Sequence, residues 1–288
     1  MKFVVTGSSG FIGKHLLDTL DGSIPFDLSH QNAIGDSDIT IPDDIMNTSK
    51  NCDGIIHLAA ISRVSDCEND PKKCIDVNIN GTLNVLQAAI KNNINWVGIV
   101  TTGEVQWIEN NKIQSFNKIN NVYGVSKLAS ELLVDVIGSK AGLKSTIFRI
   151  SSVVFGEGDN PKKVFPLFVN KSINGEDISI NDCLSEWDFI YVGDVINIIK
   201  KSAFEKNKSK IFINESNIFS GIRLDLLSLA KIIKYLSDSS SKINYKNQSI
   251  EKVTDEDFNK IIIKRKISLN FLKQVKKVIA YNLQDIKS

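Results

Sequence analysis

The chain has 288 residues, a hydrophobic fraction of 42% and a formal charge of +2 at pH 7. That length accommodates one large α/β domain and a smaller lobe. Near-balanced charge removes any general electrostatic case for binding nucleic acid or an acidic membrane surface. No apolar run is long enough to span a bilayer. A glycine-rich motif beginning at residue 6 leaves no room for a signal peptide before it, so a cytoplasmic placement is expected. Cys52, Cys67, Cys74 and Cys183 lack Cys-x-x-Cys spacing and read as incidental or buried thiols in a reducing compartment. The three histidines are scattered, so no metal site is expected.

In chain order, Phe3-Val4-Val5 reads as a buried strand, and Ile12, Leu16, Leu17 and Leu20 recur at helical spacing. Ile24-Pro25-Phe26 is a weak second strand ending at Asp27, and Ile55-Ile56-His57-Leu58 is a stronger one leading into Ala59-Ala60. Asn78 to Lys91 reads as a helix, Trp96 to Val100 as a strand, Tyr123 to Ile137 as a helix and Thr146-Ile147-Phe148 as a strand. Strands alternating with helices predict an α/β fold, a doubly wound Rossmann parallel sheet. Residues 1–159 are expected to form the NAD(P)-binding domain, completed by about 187–213, where Trp187 to Val192 reads as a return to the sheet. Residues 160–186 and 214–288 are expected to form a smaller substrate-binding lobe.

Gly7, Gly10 and Gly13 fall between a strand and a helix. Gly7 permits a sharp turn, Gly10 lets a phosphate approach the backbone, and Gly13 lets helix and strand pack closely. The helix N-terminus then favours a pyrophosphate. Ser9, Phe11 and Ile12 complete this phosphate turn. Twenty residues beyond Gly7, Asp27 is placed to accept from the adenosine ribose hydroxyls and to repel a 2′-phosphate. NAD is therefore expected, with NADP as the alternative; the plainer reading of Asp27 is a turn cap. Tyr123 and Lys127 are four apart and share one helix face. A free phenol has a pKa near 10, and Lys127, aided by an oxidised nicotinamide ring, is expected to favour its phenolate by about 2–3 pH units. In the reducing direction Tyr123 would donate its proton to a developing alkoxide.

Six motifs in order carry a resemblance to a known family. They are Thr-Gly-x-x-Gly-Phe-Ile-Gly (6–13), Asp38-Ile39-Thr40, His57-Leu58-Ala59-Ala60, Asn78-x-x-Gly81-Thr82, Tyr-x-x-x-Lys (123–127) and Asp188-Phe189-Ile190-Tyr191-Val192. From residue 2 to roughly 200 the chain resembles the extended short-chain dehydrogenase/reductases, the NAD-dependent epimerase/dehydratase group acting on nucleotide sugars. The resemblance implies that Asp38 and Ile39 contact adenine, that Leu58, Ala59 and Ala60 line the ribose-phosphate path, and that Asn78 lies near the nicotinamide. Ser151 is assigned to the cofactor side as well. Thr102 matches the hydroxyl that binds the substrate oxygen, with Thr101 as the alternative. Sugar-nucleotide 4,6-dehydratases of the family place an Asp-Glu pair after that threonine. Here the pair is Gly103-Glu104, which argues against dehydration and leaves Glu104 as a substrate-positioning group or a solvated carboxylate.

Further departures lie on the substrate side. Trp187 stands where diphosphate-binding members commonly have arginine, and an indole cannot make bidentate charge-assisted bonds. Lys162, Lys163 and Arg265 are candidate substitutes. Ser152 replaces an asparagine, Gln106-Trp107 replaces Tyr-Gly, and Ser62 with Arg63 falls in a substrate-side loop where Arg63 is an anion-contact candidate. The resemblance implies an NAD(P)-dependent oxidoreductase acting at a secondary alcohol or ketone of a nucleotide-activated sugar. A 4-ketoreductase is favoured over a 4-epimerase. A carbonyl reductase for a non-nucleotide molecule and a non-catalytic dinucleotide sensor are the alternatives. A homodimer packed through the tyrosine-bearing helix and its predecessor is also implied.

Overall fold

In the computed structural model the chain is described except at residues 29–36, 106–107, 110–111, 114–118, 182–184, 206–212, 247 and 286–288. Gln106-Trp107 and Cys183 therefore lie outside the described residues. The chain divides into two compact units, Met1–Ser151 with Ile196–Ile218, and Ser152–Val195 with Phe219–Ser288.

The first unit is built on six parallel strands: β1 (Phe3–Thr6), β2 (Ile24–Phe26), β3 (Gly54–His57), β4 (Trp96–Thr102), β5 (Ser145–Ile150) and β6 (Ile213–Ile218). Their spatial order is β6-β5-β4-β3-β1-β2. The order reverses between β1 and β3, and such a switch point opens the crevice where doubly wound sheets hold ligands. The interior strands read as near-continuous apolar runs because helices cover both faces of a parallel sheet. Val4, Ile55, Val97 and Ile147 are accordingly buried with Val85, Leu86, Ala88 and Ala89. Those last four lie on helix α2 (Gly81–Lys91), which continues from a π-helical turn over Asp76–Asn80.

Helix α1 (Phe11–Leu17) follows the glycine turn. Helix α3 (Val122–Leu133) carries Tyr123 and Lys127 and runs on through a second π-helical turn at Val134–Gly138. Asn121 starts α3 by accepting from the Gly124 N–H at 2.7 Å, and Glu68 accepts from the Val122 N–H at 2.8 Å. Two otherwise unpartnered donors of the first turn are thereby satisfied.

The second unit has a three-stranded sheet in which Glu186–Tyr191 pairs parallel with Val153–Phe155 and antiparallel with Arg223–Asp225. A separate three-stranded sheet comprises Ile178–Ile180, Ile243–Tyr245 and Gln248–Ile250. Its core gathers Phe155, Phe165, Phe189 and Phe271, with Phe155 and Phe165 stacked at 4.2 Å between ring centroids.

Two expectations change here. The Trp187 strand does not return to the main sheet: it belongs to the second unit, and β6 supplies the sixth strand instead. The break consequently falls after Ser151 rather than 159, and residues 214–218 belong to the first unit. A strand's own apolar pattern does not specify which sheet completes its hydrogen bonds. Cys67 and Cys74 are also not independent thiols. They form a disulfide because the short helices Val64–Asn69 and Pro71–Ile75 bring their Cα atoms to 5.1 Å, while Cys52 is a buried free thiol.

Candidate active site

The glycine turn lies where β1 meets β3. Gly7 has φ +71°, and a side chain there would stand 2.7 Å from the Ala59 nitrogen. A Cβ on Gly13 would meet the Gly7 carbonyl oxygen at 2.3 Å, so only glycine allows this approach of helix to turn. Gly10 caps α1 without any side-chain hydrogen bond. The Ser8 hydroxyl is buried with no protein partner. A cradle of backbone N–H groups at a helix N-terminus, with a buried hydroxyl lacking a partner, fits a dinucleotide pyrophosphate.

Around the turn, Asp27 Oδ2 accepts from the backbone N–H and hydroxyl of Ser9 at 3.0 and 2.6 Å. The Leu58 and Ala59 N–H groups both donate to Thr6 Oγ1 at 3.2 Å, which fixes the end of β3 beside β1. Phe11 stacks edge-on against His15. Asp38 and Thr40 line a cavity of about 540 Å³ with Leu28, Lys72, Lys73 and Asn80. Asp38 Oδ1 accepts from both the N–H and hydroxyl of Thr40. Ile39 is buried against Gly81 at the start of α2, and its carbonyl accepts from Asn84.

Asn78 is 1% exposed, and its side chain is engaged within the protein. Its amide bridges the backbone of Ile61 and the hydroxyl of Ser126 on α3. Asn78 thus ties the Ile61 loop, which continues into exposed Ser62 and Arg63, to α3. Behind it, fully buried His57 bonds Thr6 at 2.7 Å and Thr82 at 3.2 Å. Burial, with a smaller repulsion from Lys127, lowers its pKa to about 3, so this imidazole is neutral.

Strand alternation separates the two threonines at the end of β4. Thr101 faces inward and donates to Glu131 at 2.6 Å, whereas Thr102 lies on the opposite side of the pleat, where its hydroxyl accepts from the Glu104 N–H at 3.3 Å. Thr101 is thus engaged by Glu131, and Thr102 is the threonine that acts on the Tyr123 phenol, pulling its pKa down. Lys127 is 7% exposed, and its Nζ donates to the Val100 carbonyl at 3.1 Å. Burial lowers its pKa to about 8, opposed by Glu131.

The phenol departs from expectation. Burial and then the Glu104 carboxylate push Tyr123 up to about 12, against a downward pull from Thr102. Lys127, whose ammonium is held on Val100, is not among the groups that shift it. Glu104 itself is oriented by Asn121 Nδ2 at 3.4 Å. Gly103 packs directly on Ser151: a Cβ at 103 would lie 2.1 Å from the Ser151 hydroxyl.

In the second unit Ser152 donates to Asp188, whose Oδ1 also accepts from Ser220. Trp187 is 37% exposed. Arg265 is clamped by Glu186 and Asp225, and Lys163 pairs with Asp159 at 2.7 Å, so two of the three candidate replacement cations are occupied by carboxylates, and the third, Lys162, is exposed. Two groups tied to this helix escaped the sequence reading: Asn121, which orients Glu104, and Glu131, which acts on Lys127. Glu131 had a readable signal, the second four-residue step in Tyr123, Lys127, Glu131. Among the described residues no group of three His, Cys, Asp or Glu side chains could hold a metal, and no helix is long and apolar enough to cross a membrane.

Comparison with known proteins follows this geometry. Residues 3–214 match the model of the NAD dependent epimerase/dehydratase family. A putative UDP-glucose 4-epimerase from Methanocaldococcus jannaschii is 29% identical over 254 residues, covering 81% of each chain. A GDP-6-deoxy-D-talose 4-dehydrogenase from Aggregatibacter actinomycetemcomitans is 29% identical, covering 82% of this chain and 80% of its own. The crystal structure of a UDP-glucose 4-epimerase with UDP-glucose from Thermotoga maritima superposes with a TM-score of 0.78 at 23% identity, covering 99% of this chain and 100% of that one.

Proposed function

Because the chain belongs to the NAD-dependent epimerase/dehydratase family, we propose that it reduces a ketone on a nucleotide-activated sugar, with Tyr123 as the proton donor. The observation that carries this reading is the shared α3 face of Tyr123 and Lys127 beside the end of β4, with Lys127 Nζ held on the Val100 carbonyl and the half-buried phenol kept protonated by burial and Glu104. The protonated phenol is the form that can donate to a developing alkoxide. Gly103, with its side-chain space filled by Ser151, offers no acid for expelling water.

When bound in the glycine cradle, the reduced nicotinamide supplies the hydride for the carbonyl carbon. Thr102 Oγ1 hydrogen-bonds the carbonyl oxygen, and Tyr123 Oη transfers its proton to that oxygen as the π bond breaks. Hydride and proton together convert C=O to CH–OH. Solvent then restores the proton to Tyr123, and Lys127, on the same helix face, would hold the nicotinamide ribose beside it. Gly7, Ser9, Gly10, Phe11, Ile12 and Gly13 would hold the pyrophosphate, and Asp27 the adenosine ribose. The Asp27 carboxylate favours NAD by repelling a 2′-phosphate.

The direct test is oxidation of stoichiometric NADH by a 4-keto nucleotide sugar. Tyr123→Phe should lower kcat by about 10²–10⁴-fold while dinucleotide affinity stays unchanged. An unaffected kcat would remove Tyr123 from the chemistry. The Methanocaldococcus relative favours a second reading, 4-epimerisation with the same residues. Tightly bound NAD in the purified protein, with turnover lacking any added cofactor, would select it. We also propose a homodimer through α3 and the turn that extends it, where Val125, Leu132 and Val136 are 54%, 47% and 51% exposed. Light scattering should give twice the chain mass, and Val125→Asp/Leu132→Asp should halve it; a monomer mass at the start rejects the dimer.

A further inference from the structure

Two consecutive residues of β4 receive the charged groups of α3. The Val100 carbonyl accepts from Lys127, and the Thr101 hydroxyl donates to Glu131. Lys127 and Glu131 are one helical turn apart on the buried face, 7% and 6% exposed. Glu131 is clamped further: Arg149 Nε reaches both its oxygens at 2.9 Å, and Nη2 reaches Oε2 at 2.6 Å. The outer edge of the guanidinium binds Glu215 at 2.6 and 3.0 Å. Arg149 therefore divides its charge between two carboxylates. The inner one retains a field at Lys127, and its four donor contacts prevent it from turning away.

We propose that Glu131 is a positioning residue for Lys127: its clamped carboxylate serves as the counter-ion that keeps the buried ammonium charged on its seat at Val100. This rests on the reading in which Lys127 supports the Tyr123 proton transfer. Burial works against the lysine's charge, and Glu131 is the group that opposes it. The other ionisable groups around Lys127 are neutral His57 from β3, Tyr123 on its own helix with Glu104 beyond, Arg149 from β5 behind Glu131, and Glu215 from β6 behind Arg149. Removing an adjacent anion disfavours the ammonium, so the lysine midpoint must fall when Glu131 loses its charge.

The test follows the Cε resonance of Lys127 against pH in protein carrying ¹³C-labelled lysine, assigned by its loss in Lys127→Arg. Glu131→Gln should lower the midpoint by about 1 pH unit, and the alkaline limb of kcat/KM should move down with it. Glu215→Gln removes the same charge from the half-exposed end of the cluster and should shift the midpoint by less than half as much. Equal shifts in the two variants, or none in Glu131→Gln, would overturn the assignment. Should Glu131→Gln fail to fold, Glu131→Asp carries the test: a smaller downward shift supports the counter-ion, and an unmoved or raised midpoint overturns it. The resonance needs no substrate. Absence of turnover in the wild type would therefore count against the proposed reaction and leave this inference standing.

Discussion

Each unit holds one arginine between two carboxylates, and the two clamps do different things. In the first unit Arg149 and Glu131 are 6% and 7% exposed in their side chains, with Glu215 at 51%. In the second unit Arg265 is 17% exposed, between Glu186 at 38% and Asp225 at 16%. Burial alone would lower the Arg149 pKa, yet hydrogen bonds to Glu215 and Glu131 carry it above the usual guanidinium range. Deep in the first unit, a clamp stiffens the floor beneath Lys127. Nearer the surface, the same residue types withhold a cation from ligands, since a guanidinium bonded to two carboxylates is poorly placed to take a diphosphate. The identity of the residues is common to both; depth decides the consequence.

The largest expected effect comes from breaking the deep clamp. Arg149→Met leaves Glu131 and Glu215 without their partner and should cost about 3–5 kcal/mol of stability. The matching Arg265→Met should cost about 1 kcal/mol or less, because water screens its partners. Urea midpoints followed by far-UV circular dichroism compare the two, and equal losses would refute the role given to depth. A second effect, of about 3 kcal/mol, is expected on acidification from pH 7 to 4 and belongs to the first unit through His57. Its folded pKa of about 3 lies below the ordinary 6.5, so the unfolded chain binds the proton first. The stabilisation is complete above about pH 6.5 and is lost progressively toward pH 3. His57→Gln should start less stable and show a flatter slope over that range. An unchanged slope would place the acid sensitivity elsewhere.

The parts of the fold written in local spacing were readable. The glycine turn, β1, β3, β4, β5 and the Tyr123–Lys127 helix each follow from periodicity and short-range chemistry over a few residues. Partner choice across the chain was not. The Trp187 strand is correctly a strand, but its sheet is set by Val153–Phe155 and Arg223–Asp225, far away in sequence. The Cys67–Cys74 bond depends on a bend between two short helices that spacing alone does not declare. Thr101 and Thr102 stood as alternatives; the pleat turns Thr101 inward onto Glu131 and leaves Thr102 on the other face, a consequence of period two that was available in advance. The Tyr123 pKa went opposite to expectation because burial and the Glu104 carboxylate outweigh any favourable charge on the phenolate.

The contact between Gly103 and Ser151 also constrains where this lineage can go. An aspartate introduced at 103 would collide with the neighbouring hydroxyl before it could act on anything. Trimming Ser151 to glycine would not make the room, because its backbone Cα already stands 2.9 Å from a Cβ at position 103. An acid at 103 therefore requires the backbone at the end of β5 to move as well.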